Sequence, residues 1–191
     1  MTGKHKQRGF SLIEAAIVLA VVGLVLGGIW VAAAAMYETY KVNKTVEDIA
    51  LIVKKTQNLI SIRDAEAVGN THIIQTLYAA DVFPKYWISG TSVINPYFGV
   101  VGVYSLQYRF DLTLQSVNKT ACVKLIVKIS SMGAMANYGN NKLNRSTLGL
   151  LQVNPPDFNT NIFPITPETA KNVCNQSSNY VIFSYGYTRT N

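Results

Sequence analysis

The distribution of apolar and polar residues divides the chain into contrasting stretches. Residues 1–9, MTGKHKQRG, are polar and basic. Residues 10–37, FSLIEAAIVLAVVGLVLGGIWVAAAAMY, are apolar with one charged member, Glu14. From Ala15 to Tyr37 there is no charge, and at about 1.5 Å per residue a helix of that length spans a bilayer core. Past the apolar run, Val42, Val46, Ile49, Val53 and Ile60 keep a helical stripe, while Lys41, Lys44, Glu47, Lys54 and Lys55 fall largely on other faces. No proline precedes Pro84, and Gly69-Asn70 is a suitable stop. The pattern predicts one helix from Phe10 to about Val68, roughly 85–90 Å long.

Beyond it, Thr71 to Ala80 reads as a short helix with Thr71 as its cap, ending before Pro84. Ser89-Gly90 and Asn95-Pro96 carry turn chemistry. In 104–115, Leu106, Tyr108, Phe110, Leu112 and Leu114 alternate with polar residues, predicting a half-buried strand. Residues 117–129 stay ambiguous. Val123, Leu125, Val127 and Ile129 fit a strand, and Val117, Ala121, Leu125 and Ile129 fit a helix. Residues 133–165, rich in Asn, Gly and Pro, read as loops and short edge strands around Leu148-Gly149-Leu150-Leu151. Thr166-Pro167-Glu168 starts a helix that carries Cys174 near its end. Tyr180 to Tyr187 reads as a final strand.

Charge places the N-terminus. Three of the 17 Lys and Arg residues (Lys4, Lys6, Arg8) precede the apolar run, leaving 14 against 10 acids in the remainder. A basic flank holds that side in the cytoplasm, so the chain after about residue 38 faces the periplasm or exterior. The remaining surplus is mild and lacks the clustered, aromatic-interleaved patch of a nucleic-acid interface. An ordinary signal-anchor or a secretory signal peptide with an Ala32–Ala35 cleavage site also fits the apolar run, but neither explains Glu14. A carboxylate in an apolar segment costs up to about 3 kcal/mol near the bilayer centre and needs a partner.

Gly9-Phe10-Ser11-Leu12-Ile13-Glu14 resembles the type III signal of type IV prepilins and related pseudopilins. The resemblance implies cleavage between Gly9 and Phe10 by a membrane prepilin peptidase, and N-methylation of Phe10. It further implies that Glu14 pairs in the fibre with the Phe10 amine of a neighbouring subunit. A small Gly9 lets the peptidase approach the backbone, and Glu14 lies one helical turn from the new amine. Gly23, Gly27 and Gly28 either permit close helix contact or weaken the helix so that it can stretch.

A second resemblance covers most of residues 71–187. Asn95-Pro96-Tyr97-Phe98-Gly99, Thr120-Ala121-Cys122-Val123-Lys124-Leu125 and Thr166-Pro167-Glu168 through Cys174 to Asn179-Tyr180-Val181-Ile182-Phe183 look like the C-terminal domain of type IVb pilins. It implies an α+β pilin fold, with the long helix packed on a small antiparallel sheet with short helices. It places Cys122 on a helix after the long strand and bridges it to Cys174.

The organisation expected is a cleaved leader, 1–9; a transmembrane and assembly half of the stem helix, 10–37; its amphipathic half, 38–68; and a globular head, 69–191. The implied function is a structural pilus subunit. Its partners would be identical subunits in a helical polymer, the peptidase, and an inner-membrane assembly platform with its ATPase and an outer-membrane secretin. Its location would be the bacterial inner membrane before assembly and then the cell surface. Alternatives are a type II secretion pseudopilin or minor pilin, or a signal-anchored periplasmic enzyme or binding protein. No cofactor or metal is expected. His5 and His72 are the only histidines, and His72, the one a mature Ser-His-Asp site would use, reads as a surface or cap residue. There is no phosphate loop, HExxH or EF-hand pattern.

Overall fold

The computed structural model describes residues 12–60, 71–106, 109–131, 151–153, 158–160 and 164–187. It divides into two compact units, Met1–Tyr40 and Lys41–Asn191. Helix α1 (Leu12–Leu59) contributes its first part to one and the rest to the other. The expected extension to Val68 falls on residues 61–68, which lie outside the described residues. In the first unit residues 12–37 are exposed on all faces of the helix.

In the second unit α1 buries Val42, Val46, Ile49 and Val53, the predicted stripe, together with Ile52. These join one core with α3 (Lys119–Ser131) and a sheet. Gln57 Nε2 donates to the Gly186 carbonyl at 2.7 Å, and Lys128 Nζ donates to Asn43 Oδ1, which fixes α1 against the last strand, β8 (Ser178–Gly186), and α3. The sheet is antiparallel throughout, in the order β1 (Thr71–His72), β4 (Val101–Leu106), β5 (Arg109–Asn118), β8 (Ser178–Gly186), β6 (Leu151–Val153), β7 (Phe158–Thr160). A hairpin of β2 (Ile88–Ser89) and β3 (Ser92–Val93) stands apart, turning at Gly90 with φ +60°.

The expected helix over Thr71–Ala80 is corrected. Thr71 and His72 pair with Ser105 and Tyr104 on the sheet edge, and the Ile73 amide donates to the Val103 carbonyl. The ladder captures these residues, so α2 is only Ile74–Ala79 and Thr71 does not cap it. It stops as expected before Pro84. Val82 donates to the Leu77 carbonyl and Asp81 to that of Tyr78, with Asp81 at φ 52°, which is a Schellman end with Asp in the left-handed position.

The single strand expected over 104–115 is also corrected, to a hairpin. Leu106 pairs with Arg109, and Val101, Val103 and Ser105 lie opposite Leu114, Leu112 and Phe110. The core face thus passes from odd positions in β4 to even ones in β5, and Leu106 is only half-buried. Gln107 and Tyr108, between them, lie outside the described residues.

The ambiguous segment is helical. The Asn118 side chain accepts from the Ala121 amide at 2.8 Å and caps α3, which buries Ala121, Cys122, Leu125, Ile126 and Ile129. Helix α4 (Pro167–Val173) begins as predicted, with Thr166 Oγ1 accepting from the Thr169 amide. The final strand is β8. Of the expected edge strands β7 is one, whereas β6 lies inside the sheet between β8 and β7.

Candidate functional site

Within the first unit, α1 from Leu12 is long and apolar enough to cross a membrane, and none of its most apolar window is buried. Leu12, Leu24, Trp30 and Val31 are each more than 70% exposed. Exposure on this scale in water is unstable unless lipid or other protein covers it. Glu14 lies in the first turn, where the helix dipole favours a carboxylate. Thr39 Oγ1, near the end of the stretch, donates to the Ala35 carbonyl at 3.0 Å. At Gly23, Gly27 and Gly28 an added Cβ would meet nothing within 4 Å, so no contact among the described residues requires these glycines. Gly9 and Phe10, the expected cleavage and methylation positions, lie outside the described residues. The structure therefore locates Glu14 in the first turn of the apolar helix.

In the second unit Cys122 and Cys174 form a disulfide, with Cα atoms 5.9 Å apart and both residues fully buried. Cys122 sits in the first turn of α3, and Cys174 is the C-cap of α4. The bridge joins two helices that follow different strands. Ser130 adds a second tie, accepting from the Ile165 amide at 3.0 Å just ahead of α4.

The loop 94–99 was marked in the sequence by the turn chemistry of Asn95-Pro96 and by the likeness of 95–99 to the type IVb head. Its organiser is Asn95, which is 2% exposed. Its Oδ1 accepts from the Tyr97 amide at 2.7 Å, and its Nδ2 donates to the Gln115 carbonyl at 2.7 Å. Its backbone closes the turn, with the Asn95 amide on the Gly99 carbonyl and the Phe98 amide on the Asn95 carbonyl. Gly99 is obligatory, because a Cβ there would fall 1.8 Å from the Gln115 oxygen. The sequence signal available for all this was Asn-Pro followed three residues later by Gly.

His72 lies on the edge strand β1, exposed, with its ring edge-on to Tyr104 at 4.6 Å. This replaces its expected helical setting. Next along the same row, Asp111 accepts from Ser184 Oγ at 2.5 Å and pairs with Arg109 Nε at 3.3 Å. Burial nevertheless pushes the Asp111 carboxyl above its ordinary value. Burial likewise raises the Tyr185 phenol, and Tyr187 more moderately, with its hydroxyl on Ser105 Oγ. Among the described residues no three His, Cys, Asp or Glu side chains gather as a metal site.

Comparison with known proteins agrees with this geometry. The family model of the prokaryotic N-terminal methylation motif matches residues 4–30, and that of the PilS N-terminal domain matches residues 39–185. No curated protein matches the chain. Among solved structures, the crystal structure of a type IVb pilin from Salmonella typhi superposes with a TM-score of 0.50 at 15% identity. The match covers 75% of this chain and 96% of that one. The long helix on an antiparallel sheet with short helices is the pilin fold, and the methylation-motif match covers the span that holds Gly9, Phe10 and Glu14. The chain belongs to the PilS family of type IV pilins, structural subunits rather than enzymes, and shares its fold with the type IVb pilin from Salmonella typhi.

Proposed function

We propose that this chain is the subunit of a type IV pilus, cut between Gly9 and Phe10 and polymerised through the first part of α1 into an extracellular fibre. The observation that carries the reading is the exposed apolar helix, residues 12–37, whose one charged residue is Glu14 in the first turn. In the inner membrane, lipid covers that surface. In a fibre, copies of the same helix replace the lipid.

Cleavage after Gly9 releases a cationic amine on Phe10, and N-methylation retains its charge. Withdrawing the helix from lipid into a bundle of its own copies leaves Glu14 in an apolar surrounding. There an unpaired carboxylate is strongly unfavourable, and removing one partner of such a pair costs about 3–5 kcal/mol. The Phe10 amine of a neighbour supplies the partner, so the pair selects the axial register in which subunits stack. The segments then divide the work. Residues 1–9 are the leader, 10–37 the membrane and assembly half, 38–68 the amphipathic half, and 69–191 the head displayed on the fibre. The machinery implied is a prepilin peptidase, an inner-membrane platform with its ATPase, and an outer-membrane secretin.

The test is electron microscopy of the producing cell, with antibody to the head, beside a matched deletion. Labelled surface fibres that vanish in the deletion support the reading. A cell whose fibres are unchanged and unlabelled contradicts it.

A further inference from the structure

Phe98 is held in an unfavourable place. Its side chain is 87% exposed, and its backbone has φ 65°, a left-handed conformation that bulky residues rarely adopt. The surroundings enforce it, because Asn95 and Gly99 close the loop from both sides. The Lys41 ammonium lies 5.6 Å from the Phe98 ring centre and 4.5 Å from that of Tyr97. The loop presents a rigid aromatic knob to the outside. Backbone strain that the surroundings over-determine is a mark of functional loops.

The same unit carries a matching recess. An open cleft of about 170 Å³ is lined mainly by Val46, Ile49, Ala50, Val53, Ile129 and Tyr185. A cavity of about 150 Å³ with aliphatic walls takes up benzene, so a phenyl ring fits the space. Lys54 and Gln57 complete its lining, and an ammonium beside a ring is favourable. Lys41, which reaches the knob, and Ala50, in the cleft, are nine residues apart on α1. At 3.6 residues per turn they lie about half a turn apart. Knob and recess therefore face different flanks of one helix, and a subunit cannot fill its own cleft with its own Phe98.

We infer that Phe98 of one subunit inserts into the cleft of a second copy, as a contact between neighbouring subunits of the fibre. The inference rests on the fibre reading. The occupant is a second copy because the chain itself displays the knob that suits the recess in size and chemistry. A contact between two different patches is heterologous. Repeated, it propagates an open helical polymer instead of closing a dimer, which is the symmetry a fibre needs. Buried aromatics seated in pockets commonly dominate such interfaces.

The test uses full-length subunits assembled into fibres on cells, with Phe98 replaced by the photo-crosslinker p-benzoylphenylalanine, which keeps an aromatic knob. Irradiated fibres should yield covalent dimers whose cross-link maps by mass spectrometry to residues 46–57 or to Ile129 of the second copy. Cross-links confined to other residues, or fibres with no cross-linked dimer, overturn the contact and leave the fibre reading intact. Absence of fibres from the unmodified chain overturns both. Ala50→Trp fills the cleft from an exposed position and leaves Phe98 in place. It should reduce recovery of sheared fibres at least tenfold, and full recovery overturns the contact.

Discussion

Replacing both cysteines, Cys122→Ala with Cys174→Ala, tests how the head is held together. The bridge closes 52 residues of sequence, and chain entropy values a closure of that size at about 4 kcal/mol. The native side offers little to offset its loss. Helix α4 has seven residues, too few to persist unaided, and its one buried side chain is Ala170. For a protein of this size about 4 kcal/mol corresponds to a fall in Tm of roughly 8–16 °C. The assay is thermal unfolding of the full chain in detergent micelles, followed by circular dichroism, for the parent and the double variant. Alkylation and mass spectrometry of the unreduced parent confirm that both thiols are paired. Limited proteolysis should cut the variant first beyond α3, while cleavage after Gly9 proceeds unchanged, because processing reads only the N-terminus. A Tm within about 3 °C of the parent would refute the reasoning, since the closure term would then be absent.

Four further outcomes follow from named groups. Gly9→Val should leave the uncut form in the inner membrane, seen as a larger band on immunoblots; mature subunit from this variant removes the cleavage assignment. Glu14→Ala should insert and fold normally yet give few fibres, and normal fibre yield would eliminate the charge pair. Asn95→Ala strands the Tyr97 amide and the Gln115 carbonyl and should cost about 2–4 kcal/mol by denaturant unfolding; a change below 1 kcal/mol would show that the loop is held by something else. For Asp111, burial raises the folded pKa above the unfolded value. Its protonated form is therefore favoured by folding, and its contribution is lost as pH rises through the folded pKa. Asp111→Asn should match or exceed the parent's Tm at pH 7, and that advantage should shrink below pH 4. A lower Tm at pH 7 would mean that the Arg109 and Ser184 contacts outweigh desolvation.

The sequence was most legible where one physical signal acted alone. The apolar run with a single acid, the stripe Val42, Val46, Ile49 and Val53, and the Thr166 cap with Pro167 after it all appear in the structure as read. The hairpin of β4 and β5 was not legible, because Gln107-Tyr108 lacks the Asn-Gly or Asp-Gly signature of a tight turn. Apolar alternation ran across the reversal, and a change of face between odd and even positions leaves no mark when Leu106 and Tyr108 happen to be apolar. Thr71 and His72 were misread for a related reason. A two-residue edge strand is made by its partner, here Tyr104 and Ser105, and local pattern does not contain the partner. The α3 segment fitted two periods equally, and the cap at Asn118, read together with Ala121, would have favoured the helix. The knob at Phe98 was invisible as such, since exposure of an aromatic is decided by the backbone that Asn95 and Gly99 impose.

Assembly through Glu14 depends on what the subunit's N-terminus is in the fibre. Fibres sheared from cells and dissolved without reductant allow the intact mass of the subunit to be measured. A mass equal to residues 10–191 plus one methyl group, with the cysteines joined, is the result predicted, and fragmentation should place the methyl on the Phe10 amine. A subunit that begins at Met1 or near Met36 would contradict the account, because the amine that Glu14 is proposed to meet would not exist.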